Sequence, residues 1–474
     1  MTTVSANSRH LTSLAAIAFV GVAIWCIPCP EALTPKAWHL FGIFITTIFA
    51  IILNPLPIGA VAFISLCASN VTGILTVKEA FGAFGESMAW LVVLAFFISR
   101  GVIKTGLGRR VAYYFIARVG HTTLGLSYAL IFTEFILSPI IPSATARGGG
   151  IIFPIAKALS EEYGKATHTG SLKNTAGGFL VQVCFQANVI TSAMFLTAMV
   201  ANPMIQRLAQ QLDITITWGS WAIGAIVPGT LNLILLPLVI RYIHPPAVKV
   251  MKDAPVLAKN ALKEMGAISL HEVIMTVVFV CMLVCWMLND RIGLDPITTA
   301  LMGFTVLLLT GVLTWNDVLH EKSAWDTLAW YATLVMMSGY LTKVGVMTWV
   351  GAMMQGYVSA DFVVFSSVSL FIVYFYIHYM FASVTAHAAV LYVTFLVLLS
   401  SLGIPTLGVA MLLAYFSTLS GGLTHFGISS APVFFESGYL SIKEWWKVGA
   451  VVGILNFLTW SIIGGIWWRF LGWW

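Results

Sequence analysis

"SPIIPSATARGGG" occupies residues 138–150, and "FASVTAHAAV" occupies residues 381–390. Both lie between long apolar runs. Each holds a serine and a threonine two apart, then a small residue, then a cation: Ser143, Thr145 and Arg147 in the first, Ser383, Thr385 and His387 in the second. The prolines of the first stretch break helices, and its glycines permit tight turns and close packing. Arg118 and Lys157 flank the region 123–158 on either side. Lysine and arginine collect on the cytoplasmic face of a membrane protein, so this segment enters and leaves on one face. It reads as a re-entrant hairpin with a polar tip at membrane depth. Such irregular backbone is tolerated only where protein or a water-filled cavity surrounds it.

The rest of the chain supports a membrane setting. Its 474 residues have a mean hydropathy of +0.93 and only 9% are charged, against about one-quarter in an ordinary soluble protein. Apolar runs of about 17–25 residues recur, and roughly 20 are needed for a helix to cross the bilayer core. The expected fold is an all-α polytopic membrane protein. The net charge of +6 sits in loops between spans and carries no nucleic-acid signal. Cys26 and Cys29 form "CIPC", but no second pair completes a zinc site and no βαβ pattern surrounds it. No HExxH motif and no paired intramembrane aspartates occur, so neither a metal nor a cofactor is expected. Residues 12–28 follow the N-terminus with no small-residue cleavage site and read as a retained span.

Spans are expected near 12–28, 38–53, 58–74, 88–103, 220–243, 270–288, 296–313, 327–342 and 448–470, with longer apolar regions between them. With the N-terminus in the cytoplasm, roughly 16 lysines and arginines fall inside and about 6 outside. The inside set includes Arg9, Lys104, Arg109, Arg110, Lys165, Lys173, Lys252 and Lys322, and the outside set includes Lys36, Arg207 and Arg291.

The two polar tips occupy equivalent positions in an internal repeat. "ESMAWLVVLAFF" begins at Glu86 and "DTLAWYATLVMM" at Asp326, a shift of 326 − 86 = 240. Trp90 and Trp330, Ser143 and Ser383, Thr145 and Thr385, and Arg147 and His387 share that shift. The first copy runs outside to inside and the second inside to outside, so the repeat is inverted, a frequent construction of secondary transporters. The expected organisation is an N-terminal span and loop (1–36), a first repeat (37–243), a charged cytoplasmic connector (244–268) and a second repeat (269–474). The hairpins fall at about 123–158 and 361–400, and two broken helices at about 175–203 and 404–435.

Each tip has the chemistry of an anion site. A helix resuming near Thr145 and near Thr385 offers unpaired N–H groups and partial positive charge. Hydroxyls donate further bonds, Arg147 offers a fork that matches a carboxylate, and His387 a donor that responds to pH. Two opposed tips would hold a molecule with a carboxylate at each end. Thr191, Ser192 and Thr424, on the broken helices, are expected near that substrate, with Asn188, Asn202 and His425 as secondary contributors. Structural roles compete with these. Intramembrane hydroxyls bond back to their own helices, amides serve as packing glue, and Glu134 could pair with Arg147 and make it a structural tie.

"PSATARGGG" with "ASVTAHAAV" resembles the paired hairpin tips of the divalent anion:sodium symporter family. "GLGRR" (106–110), "SAMFLT" (192–197) and "FESGYL" (435–440) fit the branch of citrate/succinate antiporters and plastid 2-oxoglutarate/malate translocators. The resemblance implies a homodimer of about 11 spans per protomer with two re-entrant hairpins, working as an elevator. Sodium-coupled members usually carry Ser-Asn-Thr at the tips. Here Ala144 and Val384 take the middle position, which implies sodium-independent exchange of substrates of the succinate, malate, 2-oxoglutarate or citrate class in the inner or plasma membrane. A sodium- or proton-coupled symporter is the first alternative. An intramembrane enzyme using Ser383 with His387 or His425 is the remote one.

Overall fold

The computed structural model describes residues 2–53, 55–166, 176–355 and 363–474. Lys173, the first residue of the first broken segment (175) and the first two of the second hairpin (361 and 362) lie outside the described residues, as does the side chain of Lys165. Within the described residues the chain is helical throughout, with one isolated β-bridge between Thr122 and Val250.

The first half runs α1 (Thr2–Cys26), α2 (Pro35–Leu53), α3 (Ile58–Val71), α4 (Ser87–Thr105), α5 (Leu107–Val119), α6 (Thr123–Leu137), α7 (Phe153–Ala166), α8 (Gly177–Met194), α9 (Ala201–Gln210) and α10 (Trp218–Ile243). After α11 (Ala254–Glu264) come α12 (Leu270–Met287), α13 (Pro296–Leu309), α14 (Lys322–Lys343), α15 (Val346–Gln355), α16 (Val363–Tyr376), α17 (Val384–Ser400), α18 (Thr406–Leu419), α19 (Ala431–Phe435), α20 (Ile442–Leu458) and α21 (Gly465–Phe470). Among the described residues, seven helical runs are long and apolar enough to cross a membrane, and six further apolar helices are shorter. Helix N-termini carry the expected signals: Thr122 accepts from Gly125 N–H, and capping boxes open α10 (Thr217, Ser220), α12 (Ser269, Glu272) and α20 (Ser441, Glu444).

The apolar faces sort the helices by depth. In α12, Val273, Val277, Val280, Val284 and Met287 form an exposed stripe at helical spacing, which suits lipid. In α8 every residue is buried, so this helix lies at the centre, packed against α18 of the other half. The halves exchange partners in a reciprocal way: α4 packs on α13, and α14 packs on α3.

Three stretches outside the expected spans are helices: α5, α11 and α15. The first follows α4 through Gly106, whose φ of 77° is the left-handed region that glycine favours. α11 packs on α5, and ion pairs join this charged layer to the second half. Arg110 reaches Glu272 and the Gly266 carbonyl (3.0 Å), and Lys104 reaches Asp317 at 2.6 Å. Burial alone would raise the Asp317 pKa, but the Lys104 bond and the Thr314 N–H and hydroxyl outweigh it and hold the pKa at about 2.

Close approach also fixes α20. A Cβ on Gly449 would strike the carbonyl oxygens of Leu423 and Gly422, where the second broken helix is interrupted. Gly449→Ala is expected to destabilise the protein by about 1–3 kcal/mol, read as a lower Tm in detergent. An unchanged Tm would contradict this packing.

Candidate substrate site

The two hairpin tips are built alike. In the first, α6 ends at Leu137, the chain runs irregularly to Ser143, and a helix resumes through a π-turn at Thr145–Ile152 into α7. In the second, α16 passes through a 3₁₀ turn (Ile377–Met380) and α17 begins after Ser383. Ser143 Oγ accepts from Ala146 N–H at 3.1 Å, and Ser383 Oγ accepts from Ala386 N–H at 3.4 Å. Arg147 and His387 each donate their backbone N–H to the serine carbonyl four residues back, at 3.0 Å in both cases. Ser143, Thr145, Ser383 and Thr385 are half-buried, whereas Ala144 and Val384 are buried. Both tips therefore leave the hydroxyl pair accessible and turn the middle side chain inward.

Arg147 does not reach outward. It is fully buried. Its Nε donates to Glu134 Oε1 at 2.8 Å and its Nη2 to Ser192 Oγ at 2.6 Å, while Nη1 donates to the carbonyls of Ile141 and Ala198. Four of its five N–H groups are engaged. The fork expected for a substrate carboxylate is thus committed internally. The reason is physical: the breaks at Ile141 and Ala198 leave carbonyls without helical partners, and a buried carbonyl needs a donor. Glu134 Oε1 also accepts from Asn188 Nδ2 at 2.6 Å and from Thr191 Oγ1 at 3.4 Å.

His387 is also fully buried. Its Nδ1 lies 3.0 Å from Nδ1 of His378, and His378 Nε2 lies 2.9 Å from the Gly427 carbonyl oxygen. The Tyr374 ring meets His387 edge-on at 4.6 Å, and its hydroxyl bonds Ser417 Oγ at 2.6 Å. Sequence reasoning passed over His378, Tyr374 and Gly427, although the repeat register of 240 marks the first two. Glu134 and Tyr374 are 240 apart, as are Ser138 and His378 (374 − 134 and 378 − 138). Asn188 and Ser417 are 229 apart, as are Ala198 and Gly427 (417 − 188 and 427 − 198). In each half, the cation position of the returning arm is linked to the carbonyl at the break of its own broken helix. Arg147 does this directly, and His387 does it through His378.

The remaining expected residues divide. Thr191, Ser192, Asn188 and Asn202 are buried and staple the first break: Asn202 Nδ2 donates to the carbonyls of Ser192 (2.7 Å) and Phe195 (2.9 Å), and its Oδ1 accepts from Thr418 at 3.0 Å. His425 Nδ1 accepts from Trp446 Nε1 at 3.0 Å. Thr424 is buried, with no partner for its hydroxyl among the described residues. Two unforeseen serines bridge the halves. Thr145 Oγ1 donates to Ser429 Oγ at 3.1 Å, and Ser430 Oγ donates to Asn188 Oδ1 at 2.9 Å. The first tip thus meets the second broken segment.

Residues 8–474 match the family described as the sodium:sulfate symporter transmembrane region. The chain belongs to that family, the divalent anion:sodium symporters, in the dicarboxylate-translocator branch. It is 47% identical over 460 residues to "Putative malate transporter YflS" of Bacillus subtilis, covering 96% of this chain and 95% of that protein. It is 45% identical to "Dicarboxylate transporter 1, chloroplastic" of Arabidopsis thaliana, covering 97% and 83%. "Inner membrane protein YbhI" of Escherichia coli is 34% identical, with 98% and 99% covered. In fold, the chain resembles the YdaH transporter of Alcanivorax borkumensis, with a TM-score of 0.53, 14% identity and 99% and 98% covered. The family and these relatives are transporters, not enzymes, so the intramembrane enzyme using Ser383 with His387 or His425 is set aside.

Removing one member of a buried ion pair strands the other, at a cost of about 3–5 kcal/mol. Arg147→Ala is expected to lose that much stability, and adding Glu134→Gln is expected to restore part of it, both read as Tm in detergent. A single variant melting with the wild type would rule out the tie.

Proposed function

We propose that this protein is a secondary carrier that exchanges small dicarboxylates, of the succinate, malate, 2-oxoglutarate or citrate class, across a cell membrane. The observation that carries the reading is the matched pair of tips, each a helix start with a half-buried serine–threonine pair. Ser143 and Thr145 take one carboxylate, and Ser383 and Thr385 take the other. His387 and Thr424 complete the second subsite. Arg147, Thr191 and Ser192, with Glu134, Asn188 and Asn202, hold the first subsite in shape, and His425 flanks the second. Relatives named as malate and dicarboxylate transporters support the substrate class.

Charge supports exchange over net transport. Each helix start carries roughly half a positive charge. An empty site would drag those bare dipoles through a low-dielectric barrier, whereas a bound dianion covers them. The loaded carrier crosses readily and the empty one slowly. Ala144 and Val384, both turned inward, supply no amide for a sodium ion, which supports sodium independence. In this reading the hairpins and broken helices move as an elevator against a scaffold through which two copies dimerise. The N-terminus is cytoplasmic, the repeats are inverted, and the membrane is the plasma or inner membrane.

Labelled succinate or 2-oxoglutarate uptake into proteoliposomes tests this. Uptake is expected to require unlabelled dicarboxylate inside and to ignore external sodium. Sodium-driven uptake into empty vesicles would make the protein a symporter. Thr385→Val is expected to weaken apparent affinity on the order of 10-fold or more, since a hydrogen bond to a charged group contributes about 1.5–3 kcal/mol.

A further inference from the structure

The pairing of His378 with His387 has consequences beyond holding the tip. A carbonyl oxygen only accepts, so His378 Nε2 must carry the proton it shares with Gly427. In a neutral His378, Nδ1 is then a lone pair. The Nδ1–Nδ1 contact at 3.0 Å requires one proton between the rings, which places it on a neutral His387. That leaves His387 Nε2 as a bare acceptor, buried and without a partner among the described residues. In the neutral pair three of four ring nitrogens are assigned by their partners, and one is vacant.

From this geometry we infer that the His378–His387 pair is a one-proton site that loads together with the dicarboxylate, a reading that rests on the substrate class proposed above. The proton comes from the aqueous phase, bonds to His387 Nε2, and returns to water when the substrate leaves. No other bond is made or broken. Protonation turns the vacant acceptor into a donor and places a positive charge in the first turn of α17, two residues after Thr385. His378 is a positioning residue: its lone pair accepts from the resulting imidazolium and fixes which nitrogen can take the proton. A dianion at the tip supplies the counter-charge, so the two ligands favour one another reciprocally.

The surroundings leave this pair as the local titrating unit. Tyr374 of α16 faces His387, but its hydroxyl is held by Ser417 of α18. Phe381 packs its ring edge-on to His387 at 5.4 Å. Tyr392, on α17 itself, gives its hydroxyl to the Ala410 carbonyl. In the first half, Arg147 is already balanced by Glu134, and His425 on the second broken segment is bonded to Trp446.

The test is proton uptake on mixing the purified full chain with succinate in weakly buffered detergent solution, alongside calorimetric affinity across pH. The wild type is expected to take up about one proton per succinate bound, with affinity falling about tenfold per pH unit on the alkaline limb, as one-proton linkage requires. His387→Gln is expected to bind with no proton uptake and a flat pH profile. His378→Gln keeps a donor for Gly427, and is expected to bind succinate with a displaced pH profile. Tyr374→Phe is expected to retain proton uptake. Each variant is first checked for wild-type elution and Tm, and histidine ¹⁵N spectra of the wild type, with and without succinate, report the Nε2 protonation directly. Succinate binding by the wild type with no proton uptake and no Nε2 change would overturn the inference while leaving the substrate reading intact. Failure to bind succinate, malate or 2-oxoglutarate at any pH would overturn both. A His378→Gln profile superimposable on the wild type would remove His378 from the site.

Discussion

The buried guanidinium of Arg147 is the interaction on which the first half depends. A chain that breaks its helices inside a membrane exposes carbonyls that lipid cannot satisfy. Ile141 lies on the hairpin and Ala198 on the broken helix, and both carbonyls find their donor in one side chain. That side chain is cationic, so it needs an anion, and Glu134 on the entering arm supplies it. Glu134 in turn collects Asn188 and Thr191 from α8. One ion pair thereby fixes hairpin, tip and broken helix relative to each other. The accessible hydroxyls of Ser143 and Thr145 are held by this buried network below them.

The second half keeps the plan and changes the chemistry. Tyr374 stands where Glu134 stands, His387 where Arg147 stands, and Ser417 where Asn188 stands. An imidazole is too short to span the distance a guanidinium covers, and His378, at the position of Ser138, makes up the difference. The result is a network built of imidazoles and hydroxyls, against an arginine–glutamate pair in the first half. Two tips equivalent in backbone are thus electrically unlike: one is locked, and the other has a vacant proton position.

Much of the fold was legible because it follows from simple periodicities. Apolar run length gave the helices, and the prolines and glycines of residues 138–150 marked where helix is interrupted. The shift of 240 related the two tips. The helices α5 and α11 were not legible as such, because their mixed composition reads equally well as a charged connector, and α15 was missed because its ten residues are too few to cross a membrane. The orientation of Arg147 was harder still. A sequence presents an arginine beside two hydroxyls and a possible partner thirteen residues earlier, and only the fold decides which it meets. His378 was missed for a different reason: it lies outside the tip motif, on the entering arm. The register of 240 applied to Glu134 would have reached Tyr374, and applied to Ser138 would have reached His378.

The contrast between the halves bears on why exchange and proton loading are compatible. In the proposed exchange both strokes are made by a loaded carrier, so a proton that travels with each dianion crosses twice and leaves no net movement. The same proton matters when the carrier returns empty. An imidazolium without its dianion would add to the bare helix dipoles, whereas a deprotonated pair adds nothing. Releasing the proton with the substrate therefore lowers the barrier to the empty return without abolishing it, because the dipoles of both helix starts remain uncovered. A fixed guanidinium at the second tip would offer no such relief unless it too were paired. In the proposed cycle the histidine pair makes the second tip cationic while it holds an anion and neutral while it does not, and Arg147, balanced by Glu134, spares the first tip that change.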